Sequence, residues 1–328
     1  MQVAAPHNPV MLQEMLAAMQ PADGQTYIDA TFGAGGYSRA LLESAKCKVF
    51  AIDRDPNTIM LADALARDFP GQFFLLSGSF SDMVSLAQAQ GVESVDGIVL
   101  DIGVSSMQLD EAERGFSFKQ DGPLDMRMSQ QGMTAADVVN TMEESALADI
   151  LYNYGEERAS RRIAKAIVRA RSEAPIERTG QLAEIVRKAI GHRPGATDPA
   201  TKTFQALRIH VNAELDELTQ ALEAAEQLLG PGGRLVVVVF HSLEDRLVKR
   251  FLFERSHGEP LRGTSRHLPD ALMAQPTGDV APATFLVPKG QPVKPTKKEV
   301  ETNSRARSAK LRFAIRKPAN DTSHGEDE

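Results

Sequence analysis

Three acids, a glycine-rich turn and one histidine are the residues whose types and spacing could do chemistry. Asp29 opens the stretch Asp29-Ala-Thr-Phe-Gly33-Ala-Gly35-Gly36, which follows an apolar run and precedes a helical pattern. Glycines at such a turn let backbone approach a ligand closely, and the helix start beyond offers unpaired N–H groups. Asp53 ends a second run 20 residues after Gly33, placed to accept hydrogen bonds from a ribose diol. Asp101 ends a fourth run, in Leu100-Asp101-Ile102-Gly103, and His241 directly follows a fifth. The plain alternative is a tight turn beside a surface acid. Gly33-x-Gly35-x-x-Ser38 alone does not separate NAD from S-adenosylmethionine, since both use the crevice at the carboxyl ends of parallel strands. Acids at successive strand ends suit a ligand with hydroxyls and amino groups and suit a pyrophosphate poorly. No Gly-Lys-Ser/Thr sequence supports a Walker-type nucleotide site.

These residues need a sheet to hold them. Thr26–Ala30, Lys48–Ile52, Gln72–Leu76, Gly97–Leu100 and Arg234–Phe240 read as short strands, and four consecutive valines suit a last strand buried on both faces. Ser38–Ala45 and Pro56–Asp68 carry helical spacing between them, so the alternation predicts a parallel sheet in an α/β fold. From about Thr134 to Gly191 only helix signals occur. Capping boxes are expected at Thr134/Asp137, Thr141/Glu144 and Ser242/Asp245, helix stops at Gly155 and Gly191, and a break at Pro175. Asp198-Pro199 opens a helix predicted to run to Leu229, before Gly230-Pro231-Gly232-Gly233 ends it. The expected architecture is an interrupted α/β domain. Residues 1–107 and 204–316 form its sheet, 108–203 a helical insert and 317–328 a loose tail. Ser256–Thr284 reads as a long polar loop.

Five stretches also carry a resemblance: Asp29–Ser38 (DATFGAGGYS), Asp101–Asp110 (DIGVSSMQLD), Arg114–Met128 (RGFSFKQDGPLDMRM), Phe240–Lys249 (FHSLEDRLVK) and Val293–Arg312 (VKPTKKEVETNSRARSAKLR). In that order, from about Pro6 to Arg316, the chain closely resembles the bacterial 16S ribosomal RNA (cytosine-N4)-methyltransferase family, RsmH or MraW. The resemblance implies a class I S-adenosylmethionine-dependent methyltransferase domain, Rossmann-like, with an inserted all-helical substrate-recognition domain. It implies S-adenosyl-L-methionine as cofactor and, as target, the N4 amine of cytosine 1402 in 16S ribosomal RNA of the small ribosomal subunit. Matched residue by residue, the family's cofactor contacts fall on Gly35, Gly36, Tyr37, Asp53, Phe80, Asp101 and Gln108. Ala30 stands where members often have Gly, and Tyr37 where they often have His. A backbone contact survives either change.

A cytosine N4 lone pair is delocalised into the ring. Transfer to it needs in-line placement and acceptors that favour the pyramidal nitrogen, and no metal. Asp101 is a candidate for that acceptor and equally for holding the cofactor. His241 takes the shed proton, touches a phosphate, or merely orients the turn. Methylation at C5 would instead need a cysteine nucleophile. The single cysteine, Cys47, precedes the second strand, away from the ligand edge, and reads as an ordinary thiol. One cysteine also excludes a disulfide framework and a multi-cysteine metal site.

Arg114, Phe116 and Phe118 offer guanidinium and aromatic planes to a splayed base, with buried packing as the equal alternative. The net charge of −7 hides an asymmetry: residues 1–150 hold 8 Lys/Arg against 21 Asp/Glu, residues 151–328 hold 29 against 23. Arg158, Arg161, Arg162, Lys165, Arg169 and Arg171 sit at helical spacing, as a solvated face or an RNA contact. Lys294, Lys297, Lys298, Arg305, Arg307 and Lys310 crowd a C-terminal segment whose only acids are Glu299 and Glu301, which favours phosphate binding. The longest apolar run, Leu235–Phe240, is far short of the ~20 residues that cross a bilayer. No basic residue precedes Arg39, which argues against a signal or transit peptide. The expectation is a cytoplasmic enzyme without a membrane partner, a homodimer being left open. Two alternatives remain: an NAD-linked oxidoreductase using the same turn, and an RNA-binding ribosome-assembly factor without catalysis.

Overall fold

Apolar runs that end in acids pair into one seven-stranded sheet in the computed structural model, which describes residues 9–192, 195, 197–258 and 283–318. The strands are β1 (Thr26–Asp29), β2 (Lys48–Asp53), β3 (Phe73–Ser77), β4 (Val95–Asp101), β5 (Leu229–Val239), β6 (Phe285–Leu286) and β7 (Lys310–Arg316). Their order is β3-β2-β1-β4-β5-β7-β6, with the first five parallel and β7 antiparallel to both its neighbours. Parallel pairing brings Asp29, Asp53 and Asp101, the last residues of β1, β2 and β4, to one edge. Val236, Val237 and Val238 are fully buried, as a two-faced central strand requires.

Helices α1 (Leu12–Met19), α2 (Gly36–Ser44), α3 (Ile59–Asp68) and α4 (Met83–Ala89) accompany the first four strands. Met15, Leu41, Val49, Val236 and Leu311 belong to the sheet's core. Between β4 and β5 run α5 (Ser106–Asp110), α6 (Ala135–Thr141), α7 (Glu144–Gly155), α8 (Ser160–Glu173), α9 (Thr179–Ile190), α10 (Ala200–Val211) and α11 (Glu214–Leu228). Leu147, Leu151, Ile163, Leu182 and Leu207 build a second core there. The chain divides into two compact units: the sheet unit up to residue 103 and again from 217, and the helical unit 104–216. The boundary expected at 204 falls inside α10. This sheet order with helices between β4 and β5 is the Rossmann-like class I methyltransferase fold. No helix among the described residues is long and apolar enough to cross a membrane.

Local signals failed where distant partners intervened. The helix predicted from Pro199 to Leu229 breaks at Asn212 and Ala213, the latter at φ +49°. Asn212 is drawn away by the loop at Met126 and Met128: its amide donates to the Met126 carbonyl (2.8 Å) and accepts from the Met128 N–H (2.9 Å). Thr134/Asp137 caps α6 as expected, but Thr141 bonds back to the Asp137 carbonyl (2.7 Å), and Glu143 leads α7 instead. The long loop at Ser256–Thr284 and the tail at 317–328 lie largely outside the described residues. Ser256 and His257 close the helix α12 (Ser242–His257). Neither β6 nor β7 was expected, because β7 hides inside the basic segment.

Candidate cofactor and active site

Asp29 is wholly buried and anchors the turn after β1. One carboxylate oxygen accepts from the Ser38 hydroxyl (2.7 Å) and N–H (3.1 Å), the other from the Thr31 N–H (3.3 Å). Burial pushes its pKa up to about 6, opposed by those hydrogen bonds. Gly33 donates its N–H to Asp53 Oδ2 (2.8 Å), and Asp55 donates to Oδ1 (2.8 Å). The half-buried Asp53 therefore ties the turn to the end of β2, and its pKa is raised, chiefly by burial. Gly35, at φ +77°, leads α2. A Cβ on Gly35 would lie 2.8 Å from the Phe32 ring, and one on Gly36 2.2 Å from the Pro9 ring. The space these glycines leave is filled by the protein's own side chains. Tyr37 is buried, with its hydroxyl donating to the Val10 carbonyl.

Asp101 ends β4 with its N–H held by Thr31 Oγ1 (2.7 Å), while its Oδ1 is shielded from solvent and has no hydrogen-bond partner. Burial, then the charges of Asp29 and Glu244, push its pKa up to about 8. Glu244 is fully buried. Its Oε2 accepts from the N–H groups of Phe240 (2.7 Å) and His241 (3.1 Å), and its Oε1 lies 2.8 Å from His241 Nε2. His241 Nδ1 in turn faces the Glu244 N–H (3.4 Å). The capping box of α12 is thus His241/Glu244, one residue earlier than Ser242/Asp245. Asp245 is drawn instead to Lys310 and Arg312 on β7, both at 2.7 Å. Asp29, Asp101 and Glu244 gather at the carboxyl ends of β1, β4 and β5 as a cluster of desolvated acids whose charges reach one another. Such a cluster favours a cation or an amine donor over a pyrophosphate.

Phe80 follows β3 in a half-buried turn of 3₁₀ helix. Beside it, Ser79 and Arg54 both reach Glu217, the latter at 3.7 Å. Thr31, Glu244 and Glu217 are contributors that sequence reasoning missed. Thr31 lay within the turn motif and Glu244 at His-x-x-Glu spacing, but nothing local marked Glu217. Gln108 belongs to the helical unit, where its buried side chain accepts from the Ser105 N–H (3.0 Å). Arg114 donates to the carbonyls of Arg127 and Met128, both at 3.1 Å. Phe116 is buried, and Phe118 sits edge-on to Phe204 at 4.8 Å. Lys294, Lys297, Lys298 and Arg307 are exposed, whereas Arg305 is half-buried and Lys310 is held by Asp245. Cys47 is buried directly before β2, at the opposite end of that strand from Asp53, and burial pushes its thiol up to about 11. It is no nucleophile.

The sequence profile described as "MraW methylase family" matches residues 4–317. The chain is 56% identical over 316 residues to the "Ribosomal RNA small subunit methyltransferase H" of Rhodospirillum rubrum, covering 96% of each chain. It is 55% identical over 314 residues to the protein of the same name from Paramagnetospirillum magneticum, again covering 96% of each. Among solved structures, an rRNA methylase from Streptococcus thermophilus aligns over 96% of this chain and 99% of its own, at 10% identity and a TM-score of 0.41.

Proposed function

The chain belongs to the MraW methylase family, and on that premise we propose that it methylates the N4 amine of a cytosine in small-subunit ribosomal RNA, with S-adenosylmethionine as donor. The family's cytosine 1402 is the specific target we infer. The observation that carries this reading is the cluster of desolvated acids around the unpartnered Asp101 Oδ1. A sulfonium is a cation and an exocyclic amine is a hydrogen-bond donor, and both suit those acids. Bound S-adenosylmethionine supplies an already activated methyl group, so no protein nucleophile is required.

Each residue then has a task. Asp53 retains lone pairs beyond those taken by Gly33 and Asp55, and these accept the ribose diol. Gly35, Gly36 and Tyr37 offer backbone at the start of α2, while Asp29 holds that turn in shape. Phe80, in the turn after β3, adds a further cofactor contact. Asp101, ionised by a neighbouring cation, accepts the amine N–H, orients N4 in line and takes up the proton it sheds. His241 holds the chain reversal after β5 and so keeps Glu244 beside Asp101. Lys294, Lys297, Lys298, Arg305 and Arg307 bind phosphates. Arg114, Phe116 and Phe118 support the helical unit that recognises the substrate.

A base-directed amine methylase is favoured over a C5 enzyme because Cys47 is buried at the wrong end of β2 with a raised pKa. An NAD-linked reading is disfavoured by the same acids, which would repel a pyrophosphate. The test is methyl transfer from labelled S-adenosylmethionine to purified, unmodified small subunits, followed by mass mapping. One methyl on a cytosine N4 is expected, lost in Asp101→Ala. A methyl on C5 or on a ribose oxygen would overturn the chemistry, and no transfer would support a binding-only protein.

A further inference from the structure

A second feature lies at the far end of the sheet unit. A cavity of about 340 Å³ opens between the C-terminal half of α12 and the β6–β7 edge. The register pairs Arg234 with Ile315 and Phe285 with Arg316, which puts this edge where β5 begins. The cofactor turn lies where β1, β2 and β4 finish. At ~1.5 Å per helical residue, α12 carries the chain roughly 20 Å from His241 to this cavity.

Leu252 and Phe285 form its buried floor. Phe253 and His257, one helical turn apart, stack with centroids 4.2 Å apart at 17° and present a flat face. Lys249 and Lys317 complete the lining. Neighbouring cations are matched: Arg250 pairs with Glu254, Arg255 and Arg316 with Glu226, and Arg312 with Asp245. The ammonium groups of Lys249 and Lys317 have no partner among the described residues, and no acid lines the cavity there. In a chain of net charge −7 this is a local excess of positive charge. An apolar slot with a stacking face and two unmatched ammonium groups fits a flat heterocycle carrying a phosphate. The volume is at the lower end of ligand sites, ~300–1,000 Å³, and holds one nucleotide.

We propose that this cavity binds one nucleotide of the RNA substrate, remote from the methylated base, with the base on the Phe253/His257 face and the phosphate on Lys249 and Lys317. The proposal rests on the reading of RNA as substrate. It extends the footprint along α12, so that a strand leaving the active site is gripped a second time.

The test uses the full chain and a short fluorescein-labelled single-stranded RNA, read by anisotropy across a salt series. Lys249→Gln/Lys317→Gln should weaken RNA binding about tenfold and flatten the salt slope by about 0.7, the value for one phosphate no longer neutralised, with affinity for S-adenosylhomocysteine unchanged. Phe253→Leu should weaken RNA binding several-fold while leaving the salt slope alone, which separates stacking from charge. Unchanged RNA affinity in both variants, in a wild type that methylates small subunits, overturns the cavity proposal and leaves the function standing. AMP binding as tightly as the RNA and competing with it would make this a free-nucleotide site and overturn it too. A wild type that neither binds RNA nor methylates it brings down the underlying reading.

Discussion

Between about pH 4 and pH 8, Asp101 holds a proton in the folded protein that the unfolded chain has already released. The cause is desolvation reinforced by Asp29 and Glu244, which lifts the carboxyl to about 8. A folded state that binds more protons than the unfolded state loses stability as pH rises, so Asp101 costs the fold most at and above pH 8. Asp101→Asn should therefore raise the thermal midpoint by a few degrees at pH 8 and by much less at pH 5. Equal gains at both values would place the carboxyl outside this environment. The proposed cofactor role of Asp101 gives a second pH dependence. A cationic cofactor favours the ionised form, so its affinity should rise from pH 6 to pH 9 in wild type. In Asp101→Asn it should be weaker and flat, as titration calorimetry would read.

At the scale of elements, the glycine turn after β1 is braced by a segment far from it in sequence. Pro9 fills the face of Gly36, the Val10 carbonyl accepts from Tyr37, and the Met11 N–H donates to Glu299 (2.6 Å) on α13 (Lys297–Thr302). Tyr37→Phe removes one hydrogen bond to a buried carbonyl and should cost about 1 kcal/mol in urea unfolding. It should also weaken S-adenosylhomocysteine several-fold. Gly36→Ala forces a methyl into the Pro9 ring and should cost about 1–3 kcal/mol, as overpacking does. A neutral Gly36→Ala would show that Pro9 yields freely and braces nothing. The His241/Glu244 cap is a second such element, because it brings a buried acid close enough to raise Asp101.

Across the whole molecule the net charge of −7 conceals where each sign works. Acids dominate the first 150 residues, which include Asp29, Asp53 and Asp101 at the strand ends. Exposed Lys294, Lys297, Lys298 and Arg307 gather late in the chain. Replacing these four with Gln should lower the slope of log affinity against log salt by about 0.7 for each phosphate that is no longer neutralised. Cofactor affinity should be spared. An unchanged slope would take this segment out of the RNA interface.

The five parallel strands, the glycine turn and the acids at the strand ends were legible because each follows from a local rule. Apolar runs bounded by turns make strands, and parallel pairing puts strand ends on one edge. Tertiary structure alone decided what those residues do. Desolvation depends on every neighbour at once, so no spacing announced that Asp101, Asp29 and Glu244 would be buried within reach of one another's charges. Gly35 and Gly36 were visible as a turn, yet their free faces are taken by Phe32 and Pro9. The break at Asn212 and the strand β7 within a basic segment depend on partners about 71 to 86 residues away, which no local pattern records.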